Sequence, residues 1–364
     1  MDDKLNSKIV KKQDNVSNDS QIVKCKTCGA DMVFDVTKGK LICPYCDRED
    51  DISANIFETE HTLDGFDETK LKHEDGSITY QCPNCHAKTV MHEFGTSAKC
   101  PFCGATNILT VDELPGLAPD AILPFTISRE QAVAMSRKWV KTKIFAPSKL
   151  KKTFTPENMN PLYVPAFTFD SATSSDYEGR LGKDYTVTVG SGKDKHIETR
   201  TDWKNVEGNF NLNFDDILVE ASATLNQYEI EQVGAFDIKN AVEYKYEYIA
   251  GMSSERHNIG VNKAFEIAKE KMTEDIKQSI LSQYDCDKVD YLNINTKYAK
   301  NTFKHLLVPL WCCAFKFKEK LYKYLVNGRS GRVDGKSPLS PIKVTLAVLA
   351  AIAVGVIVYF IFFK

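Results

Sequence analysis

The sequence predicts two small β modules built around paired cysteines, a mixed α+β domain and one C-terminal transmembrane α-helix. Three observations carry this expectation. Eight of the 11 cysteines fall into one pattern used twice. The middle of the chain alternates strand and helix patterns. The stretch from Val344 to Phe363 runs 20 residues without a charge. At 364 residues the chain is long enough for more than one domain. A net charge of -2 gives no global attraction to nucleic acid or anionic lipid.

Residues 1–21 are polar and charged and read as a disordered lead-in, with no apolar core of a signal peptide. The first module covers 22–50. Cys25-Lys26-Thr27-Cys28 opens it and Cys43-Pro44-Tyr45-Cys46 closes it. Between them Met32-Val33-Phe34 and Lys40-Leu41-Ile42 read as short strands, turned by Lys38-Gly39. Residues 51–77 read as an acidic linker. The second module, 78–112, repeats the first with Cys82-Pro83-Asn84-Cys85 and Cys100-Pro101-Phe102-Cys103. In each module 14 residues separate the inner cysteines.

Residues 113–337 read as the α+β domain. Ser128-Arg129-Glu130-Gln131 is a capping box opening a helix. Leu162 to Phe169, Tyr185 to Val189 and Ile217-Leu218-Val219 read as strands. Over 261–283 Phe265, Ala268, Met272, Ile276 and Ile280 recur at helical spacing. Leu306 to Phe317 and Leu321 to Val326 read as strands, and Asn327-Gly328 as a turn. Leu162-Tyr163-Val164-Pro165-Ala166-Phe167 is similar to Leu306-Leu307-Val308-Pro309-Leu310-Trp311, as two copies of a motif or as coincidence in a β-rich domain.

Two thiolates three positions apart bite a metal from one tight turn, and two such turns complete a tetrahedron, which is the zinc-ribbon pattern. The expected ligands are Cys25, Cys28, Cys43 and Cys46 for one Zn2+, and Cys82, Cys85, Cys100 and Cys103 for another. Gly29 and Gly104 follow two of the knuckles and permit positive φ. With four cysteines each, both sites are closed, which makes the ions structural. Disulfides compete with metal in an oxidising compartment, but the chain shows no export signal. Cys82 to His86 also spells a haem-attachment motif, and four thiolates also suit iron–sulfur; the doubled knuckles favour zinc. The charges of the first module cancel and the second carries one net positive charge, so neither shows a basic nucleic-acid footprint. No nucleophile elbow, phosphate loop or dinucleotide fingerprint is present, so no enzyme activity is expected. Cys312-Cys313 read as buried strand residues.

The apolar stretch, as a helix over 342–363, matches the thickness of a bilayer's hydrocarbon core. Lys323, Arg329, Arg332, Lys336 and Lys343 precede it and only Lys364 follows, which places the N-terminal bulk in the cytoplasm of a single-pass cell-membrane protein. Ala347, Ala351 and Gly355 form a small-residue stripe; it reads as a helix–helix contact or as ordinary membrane-helix composition.

The whole resembles bacterial tail-anchored proteins with paired zinc ribbons, labelled TFIIB-type or linked by their ribbons to the replication-restart helicase. The resemblance is carried by the knuckles, by Trp203 with Val206-Glu207-Gly208, by Phe214 to Val219, by Val308-Pro309-Leu310-Trp311 and above all by Tyr324-Leu325-Val326-Asn327-Gly328-Arg329-Ser330-Gly331-Arg332-Val333. Arg329-Ser330 stands where the family more often has Gln-Thr. The absence of a Walker A sequence excludes a helicase motor. The resemblance implies a membrane-anchored adaptor or scaffold that recruits cytosolic partner proteins, including SPFH (flotillin-like) and phage-shock-type membrane-stress proteins. The alternative is a membrane-tethered nucleic-acid-binding regulator.

Overall fold

The computed structural model describes residues 23–53, 55, 57, 60–67, 78–82, 88–91, 100, 109–111, 117–156, 158–192, 195–222, 225, 227–234, 236–255, 257–318 and 320–362. In chain order the strands are β1 (Val33–Asp35), β2 (Lys40–Ile42), β3 (Glu49–Asp51), β4 (His61–Thr62), β5 (Ile78–Gln81), β6 (Lys88–Met91), β7 (Leu109–Val111) and β8 (Ala121–Ile122). Helices α1 (Arg129–Thr142) and α2 (Ser148–Thr153) precede β9 (Asn158–Val189) and β10 (His196–Glu220). Then come α3 (Gln227–Gln232), β11 (Val242–Glu243), β12 (Ser253–Ser254), α4 (Val261–Leu281), β13 (Lys288–Phe317), β14 (Lys320–Asn327), β15 (Val333–Gly335) and α5 (Pro341–Phe362).

The middle of the chain is mostly one large β-sheet, which corrects the expectation of a mixed α+β domain. β9, β10 and β13 run 32, 25 and 30 residues. A strand of 30 residues is on the order of 100 Å long. The polar stretch 170–184 continues the strand that begins at Asn158. Its Ser171, Thr173 and Ser175 are buried beneath α4, while Asp176, Glu178 and Arg180 face outward. The polar content hid the period-2 pattern of a strand with one covered face.

The two Val-Pro motifs are neighbours at the centre of this sheet. Val164 pairs with Val308, flanked by Pro165 opposite Leu307 and Tyr163 opposite Pro309. On its other side β9 pairs with β12 at Leu162 and Tyr163, then with β10 from Ala166 onward. β13 does the same with β8 at Leu306 and Leu307, then with β14 from Leu310. Each proline sits where the neighbouring strand changes, so a missing N–H costs the ladder nothing there. Each proline carbonyl accepts from the residue just after the returning strand: Ala221 N–H at 3.0 Å for Pro165, Gly328 N–H at 2.9 Å for Pro309. The short strand, helix, long strand and return strand therefore occur twice, as β8–α1–β9–β10 and β12–α4–β13–β14. The motif copies are equivalent positions of one repeated unit, and each unit's short strand pairs with the other unit's long strand.

α1 and α4 cover one face of the sheet. α1 opens with its capping box formed: the Gln131 amide donates to Ser128 Oγ, and the Ser128 amide donates to Gln131 Oε1 at 2.8 Å. Trp139 of α1 stacks on Tyr324, with ring centroids 5.3 Å apart. α4 lays Phe265, Ala268, Met272, Ile276 and Ile280 onto Phe167, Phe169, Tyr177 and Phe303. On the opposite face Leu162, Val164, Leu306 and Val308 pack with Cys82, Cys100 and the α3 residue Ile230. β5–β7 join the main sheet through Ser254 of β12, which pairs with Val90 of β6. Within the expected linker, β4 pairs with β13 through Thr62–Thr302 and His61–Phe303, and Leu63 is buried. That part of the chain is seated on the sheet.

His305 lies in this core. Its Nδ1–H donates to the Leu117 carbonyl at 2.9 Å, while Nε2 has no partner among the described residues. Burial, reinforced by neighbouring His257, lowers its pKa to about 3. A lowered histidine pKa gives stability that is present above the unfolded value of about 6.5 and lost as pH falls below it. Between pH 6.5 and pH 5 this group is expected to withdraw roughly 2 kcal/mol. Denaturant titrations at the two pH values, compared with His305→Gln, check it: the variant's deficit narrows on acidification. A constant deficit refutes the assignment.

Candidate metal centre

The first cysteine module is the three-stranded sheet β1–β2–β3, with one knuckle before β1 and the other between β2 and β3. The two knuckles share one backbone design. Gly29 N–H donates to Cys25 O at 2.8 Å and Cys25 N–H to Ala30 O at 2.8 Å. Asp47 N–H donates to Cys43 O at 3.0 Å and Cys43 N–H to Arg48 O at 2.9 Å. The turn needs positive φ at the fifth position: Gly29 has 75° and Asp47 has 56°. Aspartate is among the few residues that tolerate this region, which is why the second knuckle works without glycine. Gly104, expected in the same role, lies outside the described residues.

The turns bring Cys25, Cys28, Cys43 and Cys46 together, with their sulfurs all within 4.8 Å of one another. Cys25 and Cys46 sulfurs are 3.5 Å apart, and those of Cys28 and Cys43 are 3.4 Å apart. Four sulfurs about 2.3 Å from a central ion lie about 3.8 Å from each other, so the cluster is close to the size a tetrahedral metal requires. Cys25 and Cys43 are buried and Cys28 and Cys46 exposed, which puts the site at the module surface. Burial pushes the Cys25 thiol up, but N–H groups of Cys28 and Thr27 and the adjoining thiols outweigh it and bring it to about 6. The Arg48 amide lowers the Cys46 thiol, but the thiols of Cys25 and Cys28 prevail and raise it to about 12. The Cys25 sulfur thus ionises readily, while Cys46 and Cys28 hold their protons more tightly than a free thiol. A cation is what allows all four to ionise together.

Arg48 ties the knuckles, donating from Nη1 to Thr27 Oγ1 at 2.9 Å and from Nε to Asp50 at 3.0 Å. The module is docked on the sheet domain. The Phe34 amide donates to Ala250 O at 3.1 Å, and its ring meets Tyr248 edge-on at 5.6 Å. Lys245 Nζ donates to the carbonyl and hydroxyl of Ser53 at 2.6 and 2.7 Å.

Of the second set, Cys82 and Cys100 are buried in one apolar cluster. Cys85 and Cys103 lie outside the described residues. Cys312 and Cys313 are buried strand residues, and burial pushes the Cys313 thiol up to about 12, so it is an inert thiol.

A second cluster of possible ligands, not foreseen from the sequence, is acidic: Glu60, Asp170 and Asp216 offer oxygens within 4.8 Å of one another. They come from three distant parts of the chain, and no local pattern marks them. Lys304 Nζ already sits among them, 3.1 Å from Glu60 and 2.6 Å from Asp216. The group is a polar knot where both outer strands bulge. Register shifts fall between Phe214 and Ile217 in β10 and between Ala299 and Thr302 in β13, with Asp216 and Lys300 at positive φ.

The motif from Asn327 to Arg332 is a clasp. Buried Asn327 accepts N–H bonds from Arg329 and Ser330 at 2.8 and 3.0 Å and donates to the carbonyls of Val233 and Gly234. Beyond it α5 is the one described helix long and apolar enough to cross a membrane, and none of its span Pro341–Ile361 is buried.

No family model matches this chain, and no solved structure matches it. It is similar to the uncharacterized protein YdjG of Bacillus subtilis (strain 168), 29% identical over 325 residues, covering 88% of this chain and 91% of that one.

Proposed function

We propose that this protein is a membrane-anchored zinc-ribbon adaptor. The observation that carries the reading is the closed cluster of Cys25, Cys28, Cys43 and Cys46, on the same chain as one exposed apolar helix. Four thiolates around Zn2+ leave no open position for a catalytic water, so the ion is structural. Cys82, Cys85, Cys100 and Cys103 hold the second ion. α5 is the single transmembrane pass, with the zinc modules and sheet domain on the cytoplasmic side, where thiols stay reduced. The protein is non-enzymatic and gathers cytosolic or membrane proteins at that surface, SPFH-type or phage-shock-type membrane-stress proteins first among them. Tyr45, 81% exposed on the second knuckle, supplies an aromatic contact for such a partner.

The test is capture of the full-length protein from membranes in mild detergent, followed by mass spectrometry. The expected result is specific partner proteins that are lost on Cys25→Ser with Cys28→Ser. An unchanged partner set in that variant sinks the adaptor reading. Salt-dependent retention of DNA or RNA by the native protein is the result that favours a nucleic-acid regulator instead.

A further inference from the structure

The sheet continues as an arm in the order β10–β9–β13 up to Gly182 of β9, where β13 begins at Lys288, and beyond it as the two-stranded hairpin β9–β10. The outer edge of β10 has no strand partner among the described residues. Such a row of unpaired N–H and C=O groups is a template for another strand. Along it Glu198, Arg200, Asp202 and Lys204 lie on one face and alternate in sign. Their side chains are 40% to 76% exposed. Within one chain they pair along their own strand, Arg200 with Glu198 at 3.2 Å and Lys204 with Asp202 at 3.7 Å.

We propose that this edge joins two copies of the chain, antiparallel, about a two-fold axis at Thr201. The charge order identifies the occupant. Read backward, acid–base–acid–base becomes base–acid–base–acid. Antiparallel self-pairing about Thr201 therefore sets Glu198 opposite Lys204 of the second copy and Arg200 opposite its Asp202, with both contacts repeated by symmetry. Thr201 meets itself and Thr199 meets Trp203. A slip of two residues one way places Glu198 opposite Asp202 and Arg200 opposite itself. A slip the other way places Arg200 opposite Lys204 and Asp202 opposite itself. Parallel in-register pairing also aligns like charges throughout. The pattern thus selects one register and rejects its neighbours. The other edge of the arm lacks it: in β9, Lys183 and Asp184 are followed by no charge up to Val189, and in β13 Lys288 and Asp290 by none until Lys297. The pairing is independent of the adaptor reading, because it involves neither the cysteines nor a foreign partner.

Two differently tagged full-length copies, co-expressed and extracted in mild detergent, test it by co-capture. R200E/K204E makes the edge wholly acidic, and E198K/D202K makes it wholly basic. Each variant paired with itself is expected to lose co-capture at least about tenfold. The acidic variant co-expressed with the basic one is expected to recover the native level, which also shows that both fold. Native co-capture is expected to weaken with added salt. Undiminished self-capture by the acidic variant, as association through α5 alone would give, overturns the proposal. So does failure of the mixed pair to recover.

Discussion

Replacing Cys43 with serine is expected to remove one equivalent of zinc per chain and to unfold the module that carries β1 to β3. Cys43 is fully buried, and its knuckle supplies half of the ligand set. The module's own apolar cluster is small, with Cys25, Met32, Leu41 and Cys43 completed by Ala250 of the sheet domain. Metal binding of about 10–16 kcal/mol is the folding energy of such a unit. The loss spreads, because Phe34 covers Tyr248 in the main core. Metal analysis of the purified protein reads the first effect and limited proteolysis around residues 246–252 the second. Cys286→Ser, at a half-buried thiol outside the cluster, is the control and leaves the zinc content unchanged. Native zinc content in Cys43→Ser rules out metal at this site.

Lys304→Met is expected to destabilise the fold by about 3–5 kcal/mol at pH 8, because it removes the cation that the described residues place among three partly buried carboxylates. Lys304 is 10% exposed, so water replaces little of what is lost. The deficit carries a pH signature. Burial, with the Glu60 carboxylate adding to it, raises Asp170 to about 6 even with the lysine present. Without the lysine the carboxylates repel more strongly, and taking up protons relieves them. The variant is therefore expected to recover part of its stability as pH falls from 8 to 5. Urea unfolding at both values measures this, and a deficit that does not shrink on acidification counts against the knot. A bent arm is the expected structural consequence, since Asp170 also accepts the Asp216 amide at the bulge, at 2.7 Å.

What could be read in the sequence was what local rules encode. The capping box at Ser128 and the helical stripe from Phe265 to Ile280 stand where their spacing places them. The first knuckle pair was legible because two metal-binding turns need cysteines at fixed separations, and the apolar helix because a bilayer demands a length. The expected strands at 162–169, 185–189, 217–219 and 306–317 lie within β9, β10 and β13, but the full length of those strands was not legible. Residues 170–184 have one open face, and serine and threonine line the covered one, so neither face reads as apolar. The polar knot was equally hidden, because Glu60, Asp170, Asp216 and Lys304 are joined only by the topology of the sheet. The Val-Pro runs were visible as a repeat. What they mark, a change of neighbour at Pro165 and at Pro309, required the register of four strands.

The exchange of short strands between the two repeated units has a consequence for synthesis. When β9 and β10 have left the ribosome, β13, which flanks β9 from Asn158 to Gly182, does not yet exist. A nascent chain ending before Lys288 therefore holds a long hairpin with two open margins and the unmatched apolar row Leu162, Val164 and Ala166. Such intermediates self-associate and call for chaperones. α5, the described helix long and apolar enough to cross a membrane, begins at Pro341, soon after the second unit closes with β14 at Asn327, so the sheet has little time to close before this apolar segment emerges as well.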